Sequence, residues 1–225
     1  MKFFLGLWLA IVIILGLSLP IVPHPEHWYE FPLIPGLEQK ARILFFHVPM
    51  SWTTVVAFIV AMGYGIKFLV KKNLDDDIKS TASAGLGLMF CILATVTGSL
   101  WAKFNWGSFW NWDPRETSIF ILLLIYGAYF SLRSAVEDET KRATLAAVYS
   151  IIAGVTVPFF IFIMPRILSS LHPEPIINAQ GKVEMNSTML AVFLSSVAGF
   201  TGLYFWMWNL RVRLERIMVK TLNAN

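Results

Sequence analysis

Long apolar stretches alternate with short polar connections along the whole chain. A helix that crosses a bilayer needs about 20 predominantly apolar residues, and a search for such stretches finds Phe3 to Ile21, Ile43 to Val70, Thr81 to Trp101, Ser118 to Leu132, Thr144 to Leu168 and Thr188 to Leu210. The pattern predicts an all-α, polytopic membrane protein in which residues 1–225 form a single domain, a bundle of six transmembrane helices. The first stretch exceeds the apolar run of a signal peptide and no A-x-A-like cleavage site follows it, so we expect it to be retained.

The composition supports a membrane protein. Hydrophobic residues make up 56% of the chain and charged residues 14%, and the mean hydropathy is +0.64, which lies outside the usual range of soluble domains. The single cysteine, Cys91, excludes both an internal disulfide and a C-x-x-C-H haem-attachment motif. The chain is therefore not itself a c-type cytochrome.

The positions of the basic residues predict the orientation in the membrane. Lysine and arginine are enriched in cytoplasmic loops. If the N-terminus is cytoplasmic, only six of the 18 Lys and Arg residues lie outside, namely Lys40, Arg42, Lys103, Arg115, Arg166 and Lys182. We therefore predict that both termini are inside. The protein has a net charge of +4. Because its basic residues follow this distribution, we expect membrane lipid, and not nucleic acid, to be a partner.

A tryptophan-rich run lies in the second outer connection, residues 101–117. It reads Trp106-Gly-Ser-Phe-Trp110-Asn-Trp112-Asp113. Three indoles so close together, separated by glycine, serine and asparagine, indicate a platform for a flat ligand. The alternative is an interfacial aromatic belt. Asp113 directly precedes Pro114, and this order is also typical of a helix N-cap followed by proline at the first helical position.

Two histidines lie at the same predicted outer face. His47 is near the start of the second apolar stretch, and His172 follows the fifth. Each alone is compatible with an interface or loop histidine. Together with the tryptophans they match the needs of a six-coordinate haem, which takes an imidazole on each side of the iron and aromatic walls around the ring.

Arg42 and Arg115 stand beside His47 and the tryptophan run, respectively. Either guanidinium could pair with a haem propionate, or equally with a lipid phosphate or a carboxylate. No Walker motif, nucleophile elbow or H-E-x-x-H motif is present. Any ATP-driven step therefore requires another chain.

The run Trp106 to Asp113, with His47 in F-H-V-P and His172, resembles the tryptophan-rich WWD signature of haem-handling membrane proteins. The whole chain is similar to the cytochrome c maturation protein C family, also called haem exporter protein C. The resemblance implies a protein of the bacterial inner membrane that holds haem b at its periplasmic face. His47 and His172 would be the axial ligands; Trp106, Trp110, Trp112 and Asp113 would form the platform for haem and its acceptor; and Arg42 and Arg115 match arginines of the family.

The resemblance also implies a function and partners. The protein would assist covalent transfer of haem to a periplasmic haem chaperone, cytochrome c maturation protein E, as a lyase-like component. Its other partners would be a small single-span subunit, protein D, and the ATPase and permease subunits of an ABC-type complex, proteins A and B. Three alternatives stay open: a non-catalytic scaffold or permease subunit, a haem channel, and a cytochrome c synthase, because Asp113-Pro-Arg-Glu-Thr117 is close to the W-D-P-K-E-T form of those synthases.

Overall fold

The computed structural model describes residues 2–172, 183 and 185–222, and it is built almost entirely of helices. The elements in chain order are α1 (Lys2–Ser18), β1 (Ile21–Val22), β2 (Phe31–Pro32), a 3₁₀ helix (Glu38–Phe45), α2 (His47–Lys71), α3 (Leu74–Trp106), α4 (Pro114–Ala135), α5 (Glu139–Pro158), a π-helical segment (Phe159–Ile163), α6 (Met164–Ile167) and α7 (Ser187–Leu222). The two short strands pair in parallel. Most of the third outer connection, which contains Lys182, lies outside the described residues.

Five helical segments of the described chain are long and apolar enough to cross a membrane. These segments are Glu38–Lys71, Leu74–Trp106, Pro114–Ala135, Glu139–Ile167 and Ser187–Thr221. The prediction of an all-α, multi-pass membrane protein is thus confirmed. α1 has 17 residues, which gives a length of about 26 Å against a hydrocarbon thickness of about 30 Å. Its role as the sixth span stays a prediction, as does the orientation of the bundle.

α2 and α3 form the centre of the bundle. They make the most extensive contact of any two helices, and α2 also packs on α5 and α7. Small residues permit this close packing: a Cβ atom added at Gly87 of α3 would lie 2.5 Å from the ring of Phe58 of α2. α1 lies at the periphery against α7, where Trp8 donates a hydrogen bond from Nε1 to the carbonyl of Ser195.

The helices extend beyond the apolar stretches that the hydropathy pattern detects. α3 begins at Leu74 rather than Thr81, because Asn73 caps it and accepts a hydrogen bond from the Asp75 N–H at 3.0 Å. It ends at Trp106 rather than Trp101, where Gly107 adopts a φ of +81° that suits glycine at a helix C-terminus. The non-helical part of the tryptophan-rich connection is therefore residues 107–113.

Prolines modify the two helices that lead into the histidine region. The sequence pattern predicts one continuous helix from Thr144 to Leu168. The helical segment Glu139–Ile167 is continuous, but its hydrogen-bonding pattern changes along it: α5 contains Pro158 and passes into the π-helical segment, and Pro165 follows in α6. Proline lacks an N–H and crowds the preceding turn, which explains the local change of hydrogen-bonding pattern.

The antiparallel helices give the bundle two distinct ends. At the end that we call the histidine end, the start of α2, the end of α3, the start of α4 and the segment after α6 meet around His47 and His172. At the opposite end, the charged end, Asp75, Asp76 and Asp77 of α3 meet cations from α2, α4 and α7.

Candidate functional site

Asp113 begins α4 and organises the histidine end. It is the N-cap of the helix, with Pro114 following it, and it forms a capping box with Glu116. The Asp113 carboxylate accepts the Arg115 N–H at 2.9 Å, and the Glu116 carboxylate accepts the N–H groups of Asn111 at 2.7 Å and of Asp113 at 3.3 Å. The capping role expected from the Asp113-Pro114 pair is confirmed, and the carboxylate of Asp113 makes further contacts outside the helix.

The same carboxylate fixes the segment that carries His172. It accepts hydrogen bonds from the Leu171 N–H at 2.7 Å, from the Ser170 hydroxyl at 2.9 Å and from Nδ1 of His172 at 2.8 Å. Because a carboxylate only accepts, Nδ1 of His172 carries the proton and the lone pair is on Nε2. A carboxylate that holds the far nitrogen of a histidine in this way is the usual partner of a metal-binding imidazole.

The local electrostatics keep this pair as a carboxylate and a neutral imidazole. Burial raises the pKa of Asp113, but hydrogen bonds from the N–H groups of Arg115 and Leu171 outweigh burial, so that the pKa lies below its ordinary value. Burial lowers the pKa of His172 to about 4, against the opposing effect of Asp113 and with a further lowering by Arg115. A neutral imidazole is the form that binds a metal.

His47 is held differently. It is the first residue of α2, and its Nδ1 lies 3.0 Å from the hydroxyl oxygen of Thr97 on α3. That hydroxyl also lies 2.8 Å from the Leu93 carbonyl; when it donates its single proton there, it accepts from Nδ1–H, and the lone pair of His47 is on Nε2. The ring also lies against Gly98, where an added Cβ would come within 2.9 Å of Cε1.

The tryptophans form two clusters rather than one platform. Trp101 and Trp106 surround His172: the ring of Trp101 stacks on the imidazole at 6.0 Å between centroids, and the ring of Trp106 meets it edge-on at 4.8 Å. Trp110 and Trp112 instead contact each other at 5.9 Å and pack edge-on against Phe120 of α4. Trp106 is therefore separated from the other two indoles of the run.

Trp112 combines an exposed ring with an unusual backbone. Its side chain is 69% exposed, and its φ is +57°, a left-handed conformation that non-glycine residues adopt rarely. The strain of such a residue is of the order of 1–3 kcal/mol and tends to occur at functional sites. The indole thus projects from the connection immediately before the Asp113 cap.

A cavity of about 320 Å³ opens beside His172. Its walls are formed by residues 34–37, by the end of α3 and by the segment that carries His172. The lining residues from the last two are Trp101, Asn105, Trp106, Leu171 and His172. Trp101 is held in this wall by a hydrogen bond from Nε1 to the Lys40 carbonyl at 3.0 Å. The histidine end therefore offers an open, aromatic-walled recess.

The two arginines have different surroundings. Arg42 donates hydrogen bonds to the carbonyls of Gly16 and Leu19 at the end of α1 and to the side chain of Gln39, at distances of 2.8–2.9 Å. These bonds engage three of the five guanidinium N–H groups and tie α1 to the 3₁₀ helix. Arg115 lies close enough to His172 to affect its charge. Pairing of either arginine with a propionate stays a prediction.

The structure brings most of the sequence-predicted residues to one end of the molecule. His172, Asp113 and Trp106 are in direct contact. His47 lies on α2 against Thr97 and Gly98 of α3, about one helical turn before Trp101. Thr97, Gly98 and Ser170 carry no motif of their own. Thr97 lies four residues before Trp101, on the same helix face, and this spacing is the signal that could have identified Thr97.

Comparisons with known proteins agree with the resemblance seen in the sequence. The family model described as Heme exporter protein C matches residues 5–225. The chain is 30% identical to Heme exporter protein C of Bradyrhizobium diazoefficiens over 88% of this chain and 73% of the relative. It is 30% identical to the protein of the same name from Haemophilus influenzae, over 77% and 70%, and 25% identical to that of Rhodobacter capsulatus, over 86% and 79%. This chain therefore belongs to the heme exporter protein C family.

Proposed function

We propose that this protein handles haem for cytochrome c biogenesis, and that it binds haem b at the histidine end through His47 and His172. The observation that carries the proposal is the state of the two imidazoles. Nδ1 of each imidazole lies within hydrogen-bonding distance of an oxygen, and in the proposed state each donates to it: to the Thr97 hydroxyl in one case and to the Asp113 carboxylate in the other. Both therefore keep the Nε2 lone pair, the donor that haem iron requires.

The surroundings of His172 suit a flat ring. Trp101 and Trp106 supply flat apolar walls around His172, and the recess beside them is open to the outside. An open site suits a protein that must release its cargo. Haem brings the reactive vinyl group, and the residues of this chain would bind the iron, orient the ring and hold its edge toward the acceptor.

The acceptor in this proposal is the periplasmic haem chaperone, protein E, and the chain acts as a lyase-like component without a hydrolytic motif. The other proposed partners are the single-span protein D and the ABC-type proteins A and B. The histidine end would face the periplasm from the bacterial inner membrane. The basic residues Lys67, Lys79, Arg133 and Arg216 lie at the opposite, charged end, which supports that orientation by the positive-inside rule.

Absorption spectroscopy of the purified protein tests the proposal directly. The wild type, His47→Ala and His172→Ala are expressed in haem-replete cells and purified in detergent. The wild type is expected to show a low-spin haem spectrum, and each substitution should weaken it or convert it to a high-spin one. His24→Ala is the matched control, since His24 is exposed in the loop between the short strands, and it should keep the wild-type spectrum.

A docking subunit without bound haem is the second candidate. The exposure of Phe109 and Trp112, 53% and 69%, favours a surface for a protein partner, since aromatic residues are enriched in interfaces. A colourless wild-type protein, still colourless after co-expression with proteins D and E, would overturn haem binding. If Trp112→Ala then abolished co-purification of protein E, the docking function would take its place.

A further inference from the structure

The two histidines have partners of unequal strength. Nδ1 of His172 faces a carboxylate at 2.8 Å, and Nδ1 of His47 faces a hydroxyl oxygen at 3.0 Å. A hydrogen bond from Nδ1–H to a carboxylate is charge-assisted and makes the imidazole a more basic ligand, whereas a neutral hydroxyl has a smaller effect. The two ligands are both imidazoles, and they differ in the group that contacts Nδ1, which is Asp113 for His172 and Thr97 for His47.

The contacts of Thr97 with two backbone carbonyls favour the accepting role toward His47. Its hydroxyl has one proton, which the Leu93 carbonyl accepts at 2.8 Å, with the Ala94 carbonyl at 3.2 Å as the alternative acceptor. Bonding of a threonine hydroxyl to a carbonyl one turn earlier is common in helices. The hydroxyl oxygen then accepts from Nδ1 of His47 at 3.0 Å, where α2 begins, and Gly98 provides the space for the ring.

We infer that Thr97 is the positioning residue of His47 and that the two histidines are unequal ligands, with His47 the one that an incoming ligand displaces first. This inference rests on the proposed haem-binding function. His172 is the stronger donor because of Asp113, and three hydrogen bonds to Asp113 hold its segment in place. Haem would then be retained on His172 while its other face becomes available.

Carbon monoxide is the probe of ligand exchange. It binds the ferrous haem of the purified full-length protein by replacing one histidine. After photolysis, the iron–histidine stretching vibration reports the histidine that remains. The frequency of the wild type is expected to match that of His47→Ala, in which only His172 can bind, and to fall in Asp113→Asn. A frequency that matches His172→Ala would overturn the order of displacement.

The role of Thr97 is tested by the rate of CO binding, which is limited by dissociation of the displaced histidine. Thr97→Val keeps the shape of the side chain and removes the acceptor, so the rate is expected to rise severalfold. Thr97→Ser restores the hydroxyl and should restore the wild-type rate. Thr95→Val is the matched control, because the Thr95 hydroxyl bonds only the Cys91 carbonyl among the described residues, and it should leave the rate unchanged.

A haem-free measurement separates this inference from the proposed function. Nitrogen-15 NMR of labelled histidine in the protein without haem is expected to show protonated Nδ1 at both His47 and His172, and Thr97→Val should alter the His47 signals alone. Protonated Nε2 at His47 in the wild type would contradict the role of Thr97. A wild type that binds no haem but shows both tautomers as expected would refute haem binding while leaving the geometry of the histidines intact.

Discussion

The two ends of the helical bundle use polar residues in opposite ways. At the charged end, the three aspartates at the start of α3 are all paired with cations from other turns or helices: Lys79 and Arg216 on Asp75, Lys67 on Asp76, and Arg133 on Asp77. At the histidine end, each of the two imidazoles has a hydrogen-bonding partner, an oxygen atom, at Nδ1. The indole of Trp112 remains exposed.

The charged end is held together by buried ion pairs, whereas the histidine end is open to a ligand or partner. Arg133 and Asp77 form two parallel hydrogen bonds of 2.7 and 2.9 Å between α4 and α3, and both are largely buried. Such a closed pair holds helices in register and has little capacity for a further ligand. The histidine end, by contrast, contains Trp112 with a positive φ and an open recess, features that are typical of functional sites.

Arg133→Met is expected to have the largest effect on stability. It leaves the Asp77 carboxylate buried without its partner, a change that typically costs about 3–5 kcal/mol. Thermal or denaturant unfolding in detergent measures the loss. Protein that still folds should show the wild-type haem spectrum, because the charged end is remote from the histidines.

Two further variants check this assignment. Adding Asp77→Asn to Arg133→Met removes the unpaired charge and should recover a large part of the lost stability. Arg211→Gln breaks the exposed pair with Glu215 and should change the unfolding free energy by less than about 1 kcal/mol. An equal loss for Arg211→Gln and Arg133→Met would remove the distinction between a structural pair and a surface pair.

The pH dependence of the haem-free protein is the second prediction. Burial lowers the pKa of His172 from its ordinary 6.5 to about 4, so between these values the unfolded chain binds a proton that the folded protein does not. The unfolding free energy should therefore fall as the pH decreases from about 6.5 to about 4, by up to about 3 kcal/mol. The Asp113 pKa is also depressed, so its contribution disappears only at still lower pH.

His172→Gln tests the share of His172 in this effect, because it removes one of the two histidines that titrate at the histidine end. The variant should lose part of the acid dependence that lies between these two pKa values, namely the share of His172, whereas His24→Gln in the exposed loop should retain the wild-type profile. A wild-type profile in His172→Gln would show that the acid sensitivity comes from another group, and the comparison of the two ends would lose its electrostatic basis.

Gly98→Ala should weaken haem binding at least tenfold, or about 1.4 kcal/mol. The new methyl group would approach Cε1 of His47 to 2.9 Å, and the ring must move because the contact is shorter than packed side chains tolerate. Titration with haem measures the affinity. Gly85→Ala is the control on the same helix, since its methyl group would meet Phe130 at an ordinary 3.6 Å, and a tenfold loss there would attribute the effect to α3 packing in general.

The sequence predicts the spanning helices and the family better than it predicts the geometry of the histidine end. The apolar stretches identify the spanning helices because burial in lipid leaves a strong compositional signal. They miss the true ends of α3, because Asn73 and Gly107 act through local capping that hydropathy does not detect. The tryptophan spacing marks the region, yet it does not reveal that Gly107 turns the chain and so separates Trp106 from Trp110. Contacts such as Thr97 with His47 depend on the packing of α2 against α3, which no local pattern contains.

The backbone of Trp112 provides the smallest and most specific test. With a φ of +57°, glycine is tolerated at this position and alanine is strained, so Trp112→Gly should be more stable than Trp112→Ala by about 1 kcal/mol, the reverse of the usual order. Both variants lose the ring contacts with Trp110 and Phe120. Equal stability of the two variants would show that the strained conformation does not persist in the protein. If the expected order is found and both variants fail in haem transfer, then the conformation exists to display the indole, which is the use of strain that distinguishes the histidine end from the charged end.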